Sequence, residues 1–513
     1  MSRVGHGDVR RSSVLERGFS RATAFAAAIG VADPTKHFDY MFADLHGDPA
    51  NFLTPGKVTL DALKALALTM KDLAESPPVA GPGPGDSGIP AGYTYFGQFV
   101  DHDITFDEAS ASMEQLLSDD LQPLASLSGL RNSRSAHLDL DSVYGANASR
   151  DGAKLGVGRV SSTGSTSPPF PRPAGKRDAN DLPRKPRDAE NPKVDREALI
   201  GDPRNDENVV IAQLHTAFLK AHNTLVDQGG DFGAAQTRLR RLYQSVILTD
   251  FLARICDPGV HADVLANGPR FWRLAGATDV FMPAEFAAAG YRFGHSMIRT
   301  TYDFNVNFNP QAVPATLRLM FVFTALSGEL GDFDTLPENW IIEWERFLDL
   351  TSAPAQRARA IDTQLTDFLF GLRDVLGQPE GGDSTNAAVK SLAPILAARN
   401  LLRGYLFRLP TGQAVARALG EPPLSGQALL DKLPAHQREA ARPFAEATPL
   451  WFYILAEAGA VGGQRLGAVG SRIVAETFWN LIRHSADSIL EPGGEHLPTQ
   501  LADIIALAAQ QDG

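Results

Sequence analysis

The stretch Tyr95-Phe96-Gly97-Gln98-Phe99-Val100-Asp101-His102-Asp103-Ile104-Thr105-Phe106-Asp107 concentrates an amide, carboxylates and an imidazole among aromatic side chains. An imidazole titrates near neutral pH, so it can both take up and release a proton. If the segment is helical, Gln98 and His102 stand at i and i+4, side by side on one face, with Asp101 and Asp103 flanking on other faces. Phe96, Phe99, Ile104 and Phe106 argue for burial. Each of these polar groups, if buried without a partner, costs about 1–3 kcal/mol. A cofactor, a metal or solvent must therefore meet them; the alternative is an exposed helix end.

Three further stretches carry reactive types. In Arg134-Ser135-Ala136-His137-Leu138-Asp139-Leu140-Asp141-Ser142-Val143-Tyr144-Gly145 polar and apolar residues alternate, and an extended chain sets Ser135, His137, Asp139 and Asp141 on one side. Carboxylates, a hydroxyl and backbone carbonyls on one edge suit a hard cation such as Ca2+; a solvated surface turn is the alternative. Gly201-Asp202-Pro203-Arg204-Asn205-Asp206-Glu207-Asn208 reads as a turn leading into a helix that runs to about Asp227. On that helix His215 and His222 lie two turns apart, about 10.5 Å, too far to share one metal ion, and they read as hydrogen-bonded structural histidines. A helix is also predicted over 284–299, opened by Pro283, with Ala287, Ala288, Gly290 and Gly294 stripping bulk from one side ahead of His295. A flat ligand could approach there; a structural histidine is the alternative.

The elements that position these residues are predicted to be mainly helical. Helical spacing or composition marks 21–32, 58–75, 95–107, 110–130, 208–227, 236–256, 340–350, 354–376, 414–419, 437–444 and 449–460. Residues 77–85 alternate Pro and Gly and cannot be regular structure. Residues 146–200 read as a long irregular surface segment, with eight basic and six acidic residues mixed between Arg172 and Glu197. At 513 residues the chain has room for about three domains or one large helical core. A net charge of -12 disfavours nucleic acid and anionic membranes as partners. The single Cys256 excludes an internal disulfide framework and thiolate-bound zinc or iron–sulfur sites. No uncharged apolar run reaches the roughly 20 residues of a transmembrane helix, and no signal peptide is read. Cytoplasmic location or non-classical secretion is expected.

Taken in order, Gly97-Gln98-Phe99-Val100-Asp101-His102-Asp103, Leu138 to Gly145, Gly201 to Glu207, His222-Asn223 and Tyr291-Arg292-Phe293-Gly294-His295 resemble the animal-type haem peroxidases, the peroxidase–cyclooxygenase superfamily. The resemblance spans roughly residues 90 to 410. It implies a large, mainly α-helical haem-peroxidase domain over 91–513, with residues 1–90 as an N-terminal extension packed on it and haem b between distal and proximal helices. By the same resemblance His102 is the distal histidine, Gln98 its neighbour, Arg204 the distal arginine and His295 the proximal iron ligand. Asn400 would bond the other nitrogen of His295, and Arg403 would lie near a haem propionate. Asp101 and Glu207 occupy positions that form ester links to haem in some members. Asp103, Ser135, His137 through its carbonyl, Asp139 and Asp141 match a calcium site.

The implied activity is reduction of hydrogen peroxide with oxidation of a small aromatic or halide substrate. Three departures narrow it. The run after Asn400 lacks the Arg-Asp-His-Gly sequence common in animal members. Asn208 stands where halide-oxidising members can place a haem-linked methionine. Arg292 stands three residues before His295, where cyclooxygenases and fatty-acid dioxygenases hold a radical tyrosine. With one cysteine and no export signal, a bacterial-type member is expected. The alternatives are a fatty-acid dioxygenase on the same scaffold and a non-catalytic calcium-binding structural or adhesion protein.

Overall fold

The computed structural model describes residues 37–512 apart from 76, 107–110, 165–169, 189, 191–194, 275, 277–279, 328, 373–383, 385 and 492–498. The helix expected over 21–32 and Asp107 lie outside the described residues. The rest is mainly α-helical, as the apolar spacing predicted. The principal helices are α1 (Lys57–Leu68), α2 (Gly92–Ile104), α3 (Val209–Asp227), α4 (Phe232–Ser245), α5 (Ala284–Ala288), α6 (Leu396–Leu406), α7 (Leu450–Ala460), α8 (Ala468–His484) and α9 (Leu501–Ala509). Among the described residues β-structure amounts to four two-stranded pieces, none with a strand longer than five residues, and isolated bridges. No described helix is long and apolar enough to cross a membrane.

The centre of the fold is α3, buried from Val209 to Leu225. A helix buried on every side must find partners for its polar side chains. Gln213 donates to Asn180 O, Lys220 pairs with Asp512, His222 meets Tyr144 and Ala153 O, and Asn223 bonds both backbone groups of Leu155. His215, 2.9 Å from Asn205 Nδ2, is hydrogen-bonded in a separate network from His222. Helices α2, α4 and α9 pack on α3, and α6 packs on α1 and α7.

Several expected helices are absent or shortened. Within 110–130 only Met113–Leu116 is helical; Pro123 interrupts the run and Leu124 N donates to Leu406 O instead. Over 340–350 the chain forms short 3-10 turns. In place of a helix from 354, Arg357–Arg359 pairs antiparallel with Asp86–Pro90. The buried Asp86 carboxylate accepts from Arg299 Nη1 at 2.5 Å and Arg359 Nη1 at 2.9 Å, contacts that a helix would forfeit. Over 437–444 the helix shrinks to Arg438–Ala441 between 3-10 turns. The 146–200 segment is irregular but not wholly superficial. Asp181, Leu182 and Arg196 are buried, and Arg184 makes paired hydrogen bonds to both Asp181 and Asp206.

The N-terminal part of the described chain is fastened through Glu285. Phe38–Asp39 pairs in parallel with Met282–Pro283, and the buried Glu285 carboxylate accepts from Met41 N at 2.9 Å and Phe42 N at 3.1 Å. Burial pushes the Glu285 carboxyl up to about 7 against an ordinary 4.5. The folded state therefore keeps a proton that the unfolded chain releases. Its stabilising contribution is complete below about 4.5 and is lost as pH rises through 7. We expect Glu285→Gln to flatten the pH dependence of Tm between pH 5 and 8, measured by thermal unfolding; an unchanged profile would refute this.

Candidate active site

Helix α2 begins where Gly92 N donates to Phe347 O; a Cβ on Gly92 would meet Leu348 at 2.8 Å. It ends at Thr105, where Asn132 closes it by donating to Ile104 O and accepting from Phe106 N. Its exposed end is thus avoided, and its polar face turns to a cavity enclosing about 1610 Å³ of empty space, mouth included. Gln98, Asp101, His102, Arg204, Glu207, His295 and Arg403 all line this cavity.

His102 is 2% exposed and its Nδ1 lies 2.8 Å from Asn205 Oδ1. Burial, aided by the Arg204 charge, lowers its pKa to about 4, so the imidazole is neutral at neutral pH. Arg204 sits on a 3-10 turn, Pro203–Asp206, opened by the Asp202 cap and Pro203. Its Nη2 donates to His102 O at 2.9 Å and to Asp202 at 2.7 Å, and its Nε is also on Asp202. Nη1 has no partner among the described residues. Gln98 donates to Glu207 and accepts from Asn208 Nδ2, while Asn208 Oδ1 caps α3 at Ile211 N. Asn208 is therefore a helix cap rather than a potential covalent ligand.

The other wall departs from expectation. The helix predicted over 284–299 stops at Ala288, breaks at Ala289 (φ -139°, ψ -65°) and resumes as a 3-10 turn, Gly290–His295. A Cβ on Gly290 would meet Ile473 at 2.7 Å, so close packing against α8 requires glycine there. Side chains satisfy carbonyls near the break: Arg292 Nε donates to Ala287 O and Trp451 Nε1 to Arg292 O. Tyr291 stacks on Phe286 and donates to Gly97 O, tying this turn to α2. Gly294 lines the cavity, and a Cβ there would meet nothing within 4 Å.

These features fit a large flat ligand bound through a histidine. Gly294 leaves room beside His295, and the hydroxyls of Thr94 and Thr105 in the wall are buried with no partner among the described residues. Asn400 Nδ2 lies 2.9 Å from His295 Nδ1. A histidine that binds iron through Nε2 carries its proton on Nδ1. The pair thus serves such a ligand with the Asn400 amide turned over, oxygen toward the ring. That turn would bring the amide NH2 toward Arg292 Nη1, now 3.5 Å from Asn400 Oδ1.

Beneath α2 lie three carboxylates, Asp103, Asp139 and Asp141. Ser135 Oγ lies 3.4 Å from Asp139 and 3.5 Å from Asp141. Asp103 accepts from Ser142 N, Leu140 N and Tyr243 OH. Residues 134–145 are not extended as expected. Leu140 adopts a left-handed backbone (φ 59°) and Asp141–Tyr144 is a helical turn, which curls the acidic side chains together. Burial, then Asp141, raises Asp103 to about 6, and burial with Asp141 and Asp103 raises Asp139 well above the usual range. Among the described residues no group of three or more Asp, Glu, His or Cys side chains is placed so that it could hold a metal ion.

Two site residues were invisible to sequence reasoning. Asp202 pairs with Arg134 at 2.5 Å as well as Arg204, and Asn205 bridges His102 to His215. The Asp-Pro pair could have marked Asp202 as a cap; nothing in the sequence signals Asn205.

Residues 118–383 match the animal haem peroxidase family. Arg204, Glu207 and His295 fall inside the match, while the 95–107 segment and Asn400 fall outside it. A peroxidase-like protein of Margaritifera margaritifera is 25% identical over 374 residues, 62% of this chain and 44% of that relative, so the chain spans less than half of its length. Among solved structures, peroxidase A from Dictyostelium discoideum aligns with TM-score 0.57 and 15% identity over 88% of this chain and 89% of that one. The fatty acid alpha-dioxygenase of Oryza sativa aligns with TM-score 0.52 and 16% identity over 90% and 78% of the two chains. These likenesses extend the shared helical fold to nearly the whole chain. With just over half of its residues matched by the family, the chain belongs to the animal haem peroxidases.

Proposed function

We propose that the chain is a haem b peroxidase that reduces hydrogen peroxide and oxidises a small aromatic or halide substrate. The observation that carries this reading is a neutral, buried His102 and the charged Arg204 lining one cavity with His295. His295 would hold the iron, with Asn400 behind it and Arg403 near a propionate. Haem, when bound, supplies the redox chemistry that splits the peroxide O–O bond. His102 takes a proton from one peroxide oxygen at Nε2 and returns it to the departing oxygen. Arg204, through Nη1, stabilises negative charge on that oxygen, while Gln98 orients the peroxide beside His102. The dioxygenase alternative is disfavoured by Arg292, which supplies no phenol three residues before His295. Cys256, buried and unpaired, supports a bacterial-type member over disulfide-bonded animal ones, which a phylogeny of aligned relatives would check.

A calcium ion held by Asp103, Ser135, Asp139, Asp141 and the His137 carbonyl would relieve the repulsion between the buried Asp103 and the half-buried Asp139 and Asp141. Asp101 and Glu207, both on the cavity wall, could form ester links to haem methyl groups, each link replacing one methyl C–H by a C–O bond in a two-electron oxidation that reduces one hydrogen peroxide to two waters.

Three measurements test these assignments. Purified chain supplemented with haem should show a Soret band; His295→Ala should lose it, and His102→Ala should keep it while peroxide consumption falls roughly 100-fold or more. No Soret band in the parent would favour the structural-protein alternative, and undiminished turnover in His102→Ala would remove that histidine from the chemistry. Calcium should raise the parent's Tm and a chelator reverse the gain, with Asp139→Ala abolishing the response; a parent indifferent to both would sink the calcium site. After peroxide turnover, haem should resist extraction by acidified organic solvent unless Asp101→Ala and Glu207→Ala are combined. Complete extraction from the treated parent would leave these carboxylates a non-covalent role.

A further inference from the structure

His215 is a buried titratable group that the proposed chemistry leaves unused. It stands on α3, 0% exposed, with its ring against Phe99. Its Nδ1 lies 2.9 Å from Asn205 Nδ2, and the other end of that amide, Oδ1, lies 2.8 Å from His102 Nδ1. Asn205 is itself 0% exposed. His215 Nε2 is buried with no partner among the described residues.

We propose that Asn205 and His215 form a tautomer lock, positioning residues that keep the proton of His102 on Nδ1 and so leave its Nε2 as a proton acceptor. This rests on the reading of His102 as the proton-transferring group. An amide has one accepting end and one donating end. With its oxygen on His102, that ring must donate from Nδ1. Its NH2 then needs an acceptor, and His215 Nδ1 supplies one by carrying the ring proton on Nε2. If the amide turns over, both histidines change tautomer together, and His102 holds its proton on Nε2, where it can no longer accept one. The two rings and the amide therefore make one two-state element.

Asn205 lies on the short Pro203–Asp206 turn, its backbone N donating to Asp202 O, which holds its backbone between the two histidines. Burial and the Arg204 charge beside His102 disfavour a second ring proton, so the ring carries a single N–H, and the amide oxygen 2.8 Å from Nδ1 places that N–H on Nδ1. The consequence falls on His215, whose Nε2–H is left with no acceptor among the described residues. An unpaired buried donor calls for an explanation, and holding the tautomer of His102 is one.

The test is nitrogen-15 NMR of histidine-labelled full-length chain, haem-free and in the diamagnetic carbon monoxide-bound ferrous form, together with the rate of hydrogen peroxide consumption. In the parent, His102 should be protonated at Nδ1 and His215 at Nε2. Asn205→Leu should give His102 mixed tautomers and slow peroxide consumption roughly ten- to hundredfold, the range for removing a group that orients a functional histidine, with the Soret band retained. Asn205→Asp keeps an acceptor for His102 Nδ1 and should restore the single tautomer. His215→Phe removes the acceptor of the amide and should also mix the tautomers, which keeps the test decisive if Asn205→Leu folds poorly. Protonation of His102 at Nε2 in the parent, or an unaltered tautomer in both Asn205→Leu and His215→Phe, would overturn the lock. Failure of the peroxidase reading would show separately, as unchanged peroxide consumption in His102→Ala whatever the tautomers do.

Discussion

Asp202 is the group on which the His102-bearing wall of the cavity rests. Its carboxylate is fully buried, and burial alone would favour the neutral acid. Arg134 and Arg204 outweigh that and hold the carboxyl far below the usual range. The same charge caps the Pro203–Asp206 turn, so electrostatics and local backbone geometry point the same way. Arg134 brings in the acidic loop by donating to Gly201 O, and Arg204 brings in α2 by donating to His102 O. Glycine is demanded where these segments cross: a Cβ on Gly201 would meet Asp141 O at 2.2 Å. One ionised carboxylate thereby joins three stretches separated by up to a hundred residues.

The two histidine-bearing walls solve the problem of buried backbone differently. On one side an unbroken helix carries His102, and its end is closed by the Asn132 side chain. On the other side the helix is broken, and Arg292 and Trp451 accept the task of bonding carbonyls near the break. The break lets Gly290 press against Ile473 while Gly294 stays clear, so space opens on the cavity side only. Tyr291 then fastens the two walls through Gly97 O. A straight helix over 284–299 would not have satisfied both requirements.

What the sequence determined by itself was the chemical inventory and its periodicity. The aromatic spacing around Gln98 and His102 was enough to predict a buried helix with a polar face, because local side-chain period and burial are coupled. The apolar runs over 208–227 and 449–460 were legible for the same reason. Tertiary structure decided the rest. The strand at Arg357–Arg359 exists because Asp86 draws two arginines across the fold, and the 284–299 break exists because α8 crowds Gly290. Asn205 and Asp202 lie in a polar turn whose sequence singles out Arg204 and Glu207 instead, and their importance comes from His102, His215 and Arg134, brought to them by the fold. A pattern along the chain can reveal which face is buried, but pairing between buried polar groups depends on which segments meet, and that is settled only when the whole core packs.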